Sequence, residues 1–293
     1  MKSSFYWIFG ALAVLALILI APPWRKRQAA PLVAAATQAS APISIPATYE
    51  DQNLQLKAWL SAPSGNGPFP FVIIVHGCNG LWGATGDWSN AQHWANWLNQ
   101  QGFGALILDS FSPRGLANIC GDSRAELPAT IRAVDVLAAA SYLSKLPSVK
   151  PQGIGAVGFS HGGSTVLFAA ADGNPYITGV ANRGRIAAVV AVYPGCKGLT
   201  QSTFSVPVLL LVGGADDWTS PMVCQQLSTY NRTSRTPITL KLYPGATHSF
   251  DVPKPSRVSP LGHNLRYDPA ATADAKLQIQ SFFARYLGSN SNL

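Results

Sequence analysis

The sequence predicts an α/β protein whose mostly parallel central sheet is covered by helices on both faces. Three observations carry that expectation. Runs at 71–75, 105–108, 154–159, 187–192, 208–212 and 239–243 are apolar, of strand length, and each closes on a Gly-rich or Pro-containing turn. Continuous apolar runs are what strands buried on both faces require. Between them lie segments with apolar residues at helical spacing: Trp94, Trp97 and Leu98; then Ile131, Val134, Leu137 and Leu143; then Leu277, Ile279, Phe282 and Phe283. Strands alternating with helices build parallel β-α-β units. Finally, 293 residues that are 47% hydrophobic and 12% charged suffice for one full-sized core.

Taken in order, the chain opens with an uncharged apolar run, 5–21, followed by Pro22-Pro23-Trp24-Arg25-Lys26-Arg27. Such a run at an N-terminus directs a chain to a membrane, so residues 1–24 are expected to form a transmembrane anchor or signal segment. A retained anchor is favoured, because no small-x-small cleavage site precedes Gln28-Ala29-Ala30 and the basic triplet suits a membrane-interface flank. Two signals compete over sidedness. The triplet outweighs Lys2 and would hold the domain in the cytoplasm. Cys78, Cys120, Cys196 and Cys224 are even in number without a C-x-x-C pair. They suit two disulfides in an exported domain, periplasmic in a bacterium, and nearly as well free buried thiols in a cytosolic one; the extracytoplasmic side is favoured. Residues 25–45, rich in Ala, Pro, Ser, Thr and Gln, read as a linker, and 46–290 as the folded domain. At its start Leu54, Leu56, Ala58 and Leu60 alternate with other residues, as in an exposed antiparallel strand at a sheet edge.

The formal charge of +8 arises from 21 basic and 13 acidic residues, but four of the basic ones lie in the first 27 positions without an acid. The remaining 17 against 13 form no basic run, which gives no footprint for nucleic acid.

The chemistry is expected where strands turn into helices, at the carboxyl edge of the sheet. Gly158-Phe159-Ser160-His161-Gly162 fits G-x-S-x-G between the run 154–159 and a small-residue helical segment, the setting of a nucleophile elbow. A serine hydroxyl is a weak nucleophile at neutral pH, so a base must take its proton and a carboxylate must fix that base's tautomer. After the run 208–212 come Gly213-Gly214-Ala215-Asp216-Asp217, with Asp216 the expected acid and Asp217 the reserve, one of the two also serving as a helix cap. Of five histidines, His248 lies in the loop after the run 239–243 and is the expected base. Backbone N–H groups of His161 and of the loop His76-Gly77-Cys78-Asn79-Gly80, through Cys78, are the expected oxyanion donors.

Together with Asp109-Ser110-Phe111-Ser112-Pro113-Arg114-Gly115 and Gly245-Ala246-Thr247-His248-Ser249-Phe250, these motifs resemble the dienelactone hydrolase family of the α/β-hydrolase superfamily over residues 46 to 290. The resemblance implies hydrolysis of a small-molecule ester or lactone through an acyl-enzyme, with no metal or organic cofactor. One departure is Ser160, where dienelactone hydrolase itself uses cysteine; this points to a more general esterase. Arg114 approximately matches, with one extra residue, an arginine that holds the substrate carboxylate in that family. The competing role is a salt bridge to Asp109 or Asp122. Trp82, Trp88 and Trp218 fall in loops near the expected site and suit an aromatic or apolar acyl pocket, whereas Trp94 and Trp97 suit helix packing. Disulfides between Cys78 and Cys120 and between Cys196 and Cys224 would tie loops at the site's rim; the sequence leaves the connectivity open. Peptidase or thioesterase action on the same triad, and a catalytically silent membrane-tethered binding protein, are the competing functions.

Overall fold

The structure is a computed structural model that describes Met1 and residues 41–49, 52–82, 86–121, 127–177, 185–236 and 238–288. The apolar run 5–21, most of the linker and Asp122 lie outside the described residues. Among the described residues no helix is long and apolar enough to cross a membrane.

Eight strands form the main sheet: β1 (Ile43–Tyr49), β2 (Gln52–Ser61), β3 (Phe69–Val75), β4 (Gly104–Asp109), β5 (Val149–Phe159), β6 (Ala188–Val192), β7 (Val208–Gly213) and β8 (Ile238–Tyr243). Their spatial order is β1-β2-β4-β3-β5-β6-β7-β8. From β4 to β8 all neighbours are parallel, and each expected apolar run lies in one of these strands. Within this sheet β2 alone is reversed, pairing antiparallel with β1 on one side and β4 on the other. The segment bearing Leu54, Leu56, Ala58 and Leu60 is a strand, as its alternation requires, but it is not the edge. β1 pairs outside it, with Ile45 opposite Leu56. β1 also begins inside the stretch read as linker. Ile45 and Ala47 are buried while Ser44, Pro46 and Thr48 face outward, a period of two that the Ala/Pro/Ser composition conceals.

Five helices cover the sheet: α1 (Trp88–Gln100), α2 (Ala129–Leu143), α3 (His161–Ala170), α4 (Pro221–Tyr230) and α5 (Pro269–Leu287). Successive residues of β3 feed opposite layers. Ile73 and Val75 pack with Val136 of α2, Val166 of α3 and Leu227 of α4. Val72 and Ile74 pack with Trp94 and Leu98 of α1 and with Ile279 and Phe283 of α5. Each such fully buried aliphatic or phenyl side chain contributes about 1.5–3 kcal/mol. Two-sided burial fixes the register of the parallel strands, because a slip of one residue would exchange the two layers. The carboxyl ends of β5, β7 and β8 are thereby held along one edge of the sheet, with β6 between β5 and β7, and Ser160, Asp216 and His248 follow them.

Candidate active site

Ser160 stands alone between the last residue of β5 and the first of α3, with φ +54° and ψ −120°. A side chain rarely adopts that backbone, at a cost of about 1–3 kcal/mol. Its N–H donates to Val192 O at 3.0 Å, tying the elbow to β6. The flanking glycines are steric necessities. A Cβ on Gly158 would stand 2.0 Å from Gly162 O, and one on Gly162 would stand 2.2 Å from Val75 O. The first turn of α3 therefore lies directly against the end of β3 and the loop that follows it.

The hydroxyl of Ser160 is 2.9 Å from His248 Nε2, and His248 Nδ1 is 2.8 Å from Asp216 Oδ2. The loops carrying the acid and the base are joined by Gly214 N–H to Tyr243 O at 2.7 Å and Ala215 N–H to Ala246 O at 3.0 Å. Asp216 Oδ1 accepts from the N–H groups of Trp218 and Thr219, both at 2.9 Å. Oδ2 also accepts from Thr219 Oγ1 at 2.8 Å. Burial alone would raise this carboxyl, but the hydrogen bond and charge of His248 and the amides of Thr219 and Trp218 outweigh it and hold Asp216 below the usual carboxylate value. The imidazole is buried between Tyr193 and Trp218, with ring centroids 4.8 and 5.0 Å away.

Asp217 points elsewhere. It accepts from Asn264 N–H at 3.1 Å and Asn264 Nδ2 at 2.8 Å, pinning a small hairpin of β9 (Arg257–Val258) and β10 (Asn264–Leu265). Neither aspartate caps α4, whose N-cap is Ser220 without a side-chain cap; Asp216 instead holds the turn ahead of it through the N–H groups of Trp218 and Thr219.

Cys78 is bonded to Cys120, and its carbonyl accepts from Ile119 N–H at 2.8 Å, so the loop after β3 is clamped beside the elbow. The second disulfide joins Cys196 to Cys224 and ties the turn after β6 to α4. The His161 side chain turns away to Arg132, whose Nη1 lies 2.8 Å from His161 Nδ1. Arginine only donates, so His161 Nδ1 is the acceptor. Burial and then the Arg132 charge push this imidazole down to about 3, which keeps it neutral. Arg132 Nη2 also donates to His76 O at 3.1 Å, and the guanidinium lies 4.7 Å over Phe111. Burial lowers Arg132 to about 9, so it is still a cation at neutral pH. Sequence reasoning missed Arg132; the signal was a charged residue among the apolar positions of α2.

The substrate-binding expectations fare unevenly. Arg114 is correctly placed in the loop after β4, but its fork is turned inward. Nη1 and Nη2 meet Asp135 Oδ2 and Oδ1 at 2.8 and 2.9 Å, and Nη1 also donates to Ser110 O at 2.7 Å. The carboxylate of Asp135 is buried, so the guanidinium is committed to a protein partner instead of a substrate, and that partner is not the expected Asp109; Asp122 lies outside the described residues. Trp82 is exposed; it stacks on Trp88 with centroids 4.7 Å apart and donates Nε1–H to Asp109 Oδ2 at 2.9 Å. Trp218 borders the imidazole and is held by a stack on His263 at 4.7 Å. A buried network beneath the imidazole was also not foreseen: Tyr193 OH donates to Asp251 Oδ1 at 2.6 Å, and Asp251 Oδ2 accepts from Trp94 Nε1 at 2.8 Å.

This sheet order, with a serine on a strained turn after β5, defines the α/β-hydrolase fold. The dienelactone hydrolase family model matches residues 56–287, and the chain belongs to that family. No curated protein sequence matches it. Among solved structures, a dienelactone hydrolase from Anabaena variabilis is similar at 21% identity and TM-score 0.57, over 84% of this chain and 99% of that one. The dienelactone hydrolase-like promiscuous phosphotriesterase P91 from metagenomic libraries is 20% identical with TM-score 0.61, over 85% and 99%. The Pyrococcus furiosus esterase Pf2001 is 16% identical with TM-score 0.58, over 84% and 93%. At these identities the likeness is one of fold.

Proposed function

We propose that this chain hydrolyses a carboxylic ester or lactone through an acyl-enzyme on a Ser160-His248-Asp216 triad. The observation that carries this reading is the unbroken relay of 2.9 Å from Ser160 Oγ to His248 Nε2 and 2.8 Å from His248 Nδ1 to Asp216. Ser160 Oγ attacks the ester carbonyl as Nε2 takes its proton, and Asp216 stabilises the imidazolium through the Nδ1–H bond. The N–H groups of Cys78 and His161 receive the oxyanion, each such donor being worth about 2.7–4 kcal/mol in the transition state. Collapse expels the alcohol, which leaves with the proton from Nε2. Water then adds to the acyl carbon with His248 again as base, the carboxylic acid departs, and the Ser160 hydroxyl is restored.

Trp218, beside the imidazole, and Trp82, in the loop after the oxyanion donors, are the residues we assign to the acyl and alcohol sides of the cleft. Disulfides persist in oxidising compartments, and the two here support an extracytoplasmic site of action. The apolar run 5–21 would tether the domain to the membrane through residues 25–42, ahead of β1. A panel of small esters, lactones, thioesters and peptides assayed with wild type and Ser160→Ala tests the reading. Hydrolysis of an ester or lactone that vanishes in the variant is expected; equal turnover by the variant would move the nucleophile elsewhere, and a preference for thioesters or peptides would replace the substrate class.

A further inference from the structure

Asp87 stands immediately before α1, where an acidic side chain ordinarily caps a helix by accepting from the N–H groups of the first turn. It makes no such cap. Its carboxylate turns back to the loop after β3, where Oδ1 accepts from Asn79 Nδ2 at 2.8 Å and the carboxylate accepts from Gly77 N–H. The main chain follows the same course: Asp87 N–H donates to Gly80 O at 2.9 Å and Trp88 N–H to Leu81 O at 3.1 Å. The fit is close. A Cβ on Gly77 would stand 3.1 Å from Asn79 Oδ1 and 3.4 Å from Asp87 Oδ2. Cys78 is thus bracketed by two residues that Asp87 holds, and is fixed from the far side by Cys120.

We propose that Asp87 is a positioning residue for the hydrolysis, its carboxylate holding Gly77 and Asn79 so that the Cys78 N–H is aimed at the oxyanion. This inference rests on the triad reading above. A forgone helix cap and a sheltered carboxylate both work against folding, and the loop is what gains from them. The ionisable groups facing Asp87 are Asp251 and Lys254, from the segment after β8, and Tyr193, from the turn after β6. Burial is the main reason that the carboxyl is pushed up to about 6; Asp251 adds to the rise, while Asn79, Gly77 and Lys254 oppose it. Protonation turns one acceptor oxygen into an O–H, and the loop then loses an acceptor it needs.

The test compares kcat of wild type and Asp87→Asn on one p-nitrophenyl ester from pH 5 to pH 8.5. Any pH dependence common to both enzymes cancels in their ratio. At pH 8 the wild type should exceed the variant by about tenfold or more in kcat with KM changed less than about threefold, since a misaimed oxyanion donor acts in the transition state. The ratio should fall towards one below pH 6, where the wild type also lacks the carboxylate. A ratio that does not change with pH, or a loss confined to KM, would overturn the role of Asp87. Should Asp87→Asn not fold, Asn79→Ala leaves the carboxylate in place and removes one of its donors; a loss of kcat is expected, and wild-type kcat would overturn the proposal. A wild type that turns over no ester overturns the triad reading and this inference with it, whereas an active wild type with a flat ratio overturns this inference alone.

Discussion

Asp216→Asn discriminates the triad from a merely close-packed cluster, because the surroundings dictate how the amide must sit. Oδ1 accepts two backbone N–H groups, from Trp218 and Thr219 at 2.9 Å, and an NH2 group cannot take that position. The Asn carbonyl therefore occupies it, and the NH2 group replaces Oδ2 opposite His248 Nδ1 at 2.8 Å. Two donors would then face one another. His248 escapes by moving its proton to Nε2, the nitrogen 2.9 Å from Ser160 Oγ, which can then no longer accept the serine proton. Forcing the wrong tautomer costs on the order of 10⁴ in kcat, or about 5.5 kcal/mol of barrier, as known for the same exchange in a serine protease triad. The assay is kcat on a p-nitrophenyl ester, with Asp217→Asn as control. Asp217 holds Asn264 and lies 3.5 Å from His263 Nδ1, both in the hairpin and neither in the relay, so its variant should stay within about tenfold of wild type. Activity of Asp216→Asn within tenfold of wild type, or a larger loss in Asp217→Asn, would refute the assignment of the acid.

Other perturbations follow from the same geometry. Ser160→Ala should leave the melting temperature within about 2 °C of wild type, since the hydroxyl contributes little packing and alanine inherits the same backbone strain; a fall of more than about 5 °C on thermal unfolding would mean that the serine is structural. Opening Cys78–Cys120, with a sequence separation of 42, should cost about 4 kcal/mol, and opening Cys196–Cys224, with a separation of 28, about 3.5 kcal/mol. Urea unfolding of the paired Cys→Ala variants measures both, and no change in midpoint would contradict the bonds. In Asp87 the folded-state value of about 6 lies above the ordinary 3.8, so the stabilising contribution of the protonated form is complete below 3.8 and is lost as pH rises through 6. Asp87→Asn is free of that loss, and its stability relative to wild type should improve by up to ~3 kcal/mol between pH 4 and pH 8. A pH-independent difference in urea unfolding would contradict the elevated value.

Strands β3, β4, β6 and β7 were legible because each is buried on both faces and therefore reads as an unbroken apolar run, whereas β8, at the sheet edge, carries Thr239 and Lys241 and was legible from its alternating leucines and the turn that follows. Strand β1 was not, because Ile45 and Ala47 sit among alanine, proline and serine, and a period of two over a few residues looks like linker composition. The same omission made β2 look like the sheet edge. Ser160, Asp216 and His248 could be placed because each follows a legible strand, and the fold brings strand ends together whatever the loops do. Side-chain direction is a different matter. Nothing in the sequence around Arg114 says that Asp135, on a helix 21 residues further on, would claim its guanidinium. The sequence assigned Asp87 no role, since its turn towards Gly77 and Asn79 depends on the geometry of a loop closed by the Cys78–Cys120 bond. Arg132 gave a sign, being a charge on the buried side of α2, but its partners His76 and His161 come from distant segments.

Reaction of the folded chain with a fluorophosphonate, followed by mass mapping of the adduct, tests the nucleophile most directly. One adduct on the peptide that contains Ser160, absent after heat unfolding and absent in Ser160→Ala, is the expected result. A folded wild type that takes up no label, or takes it up at another residue, would contradict the serine hydrolase reading.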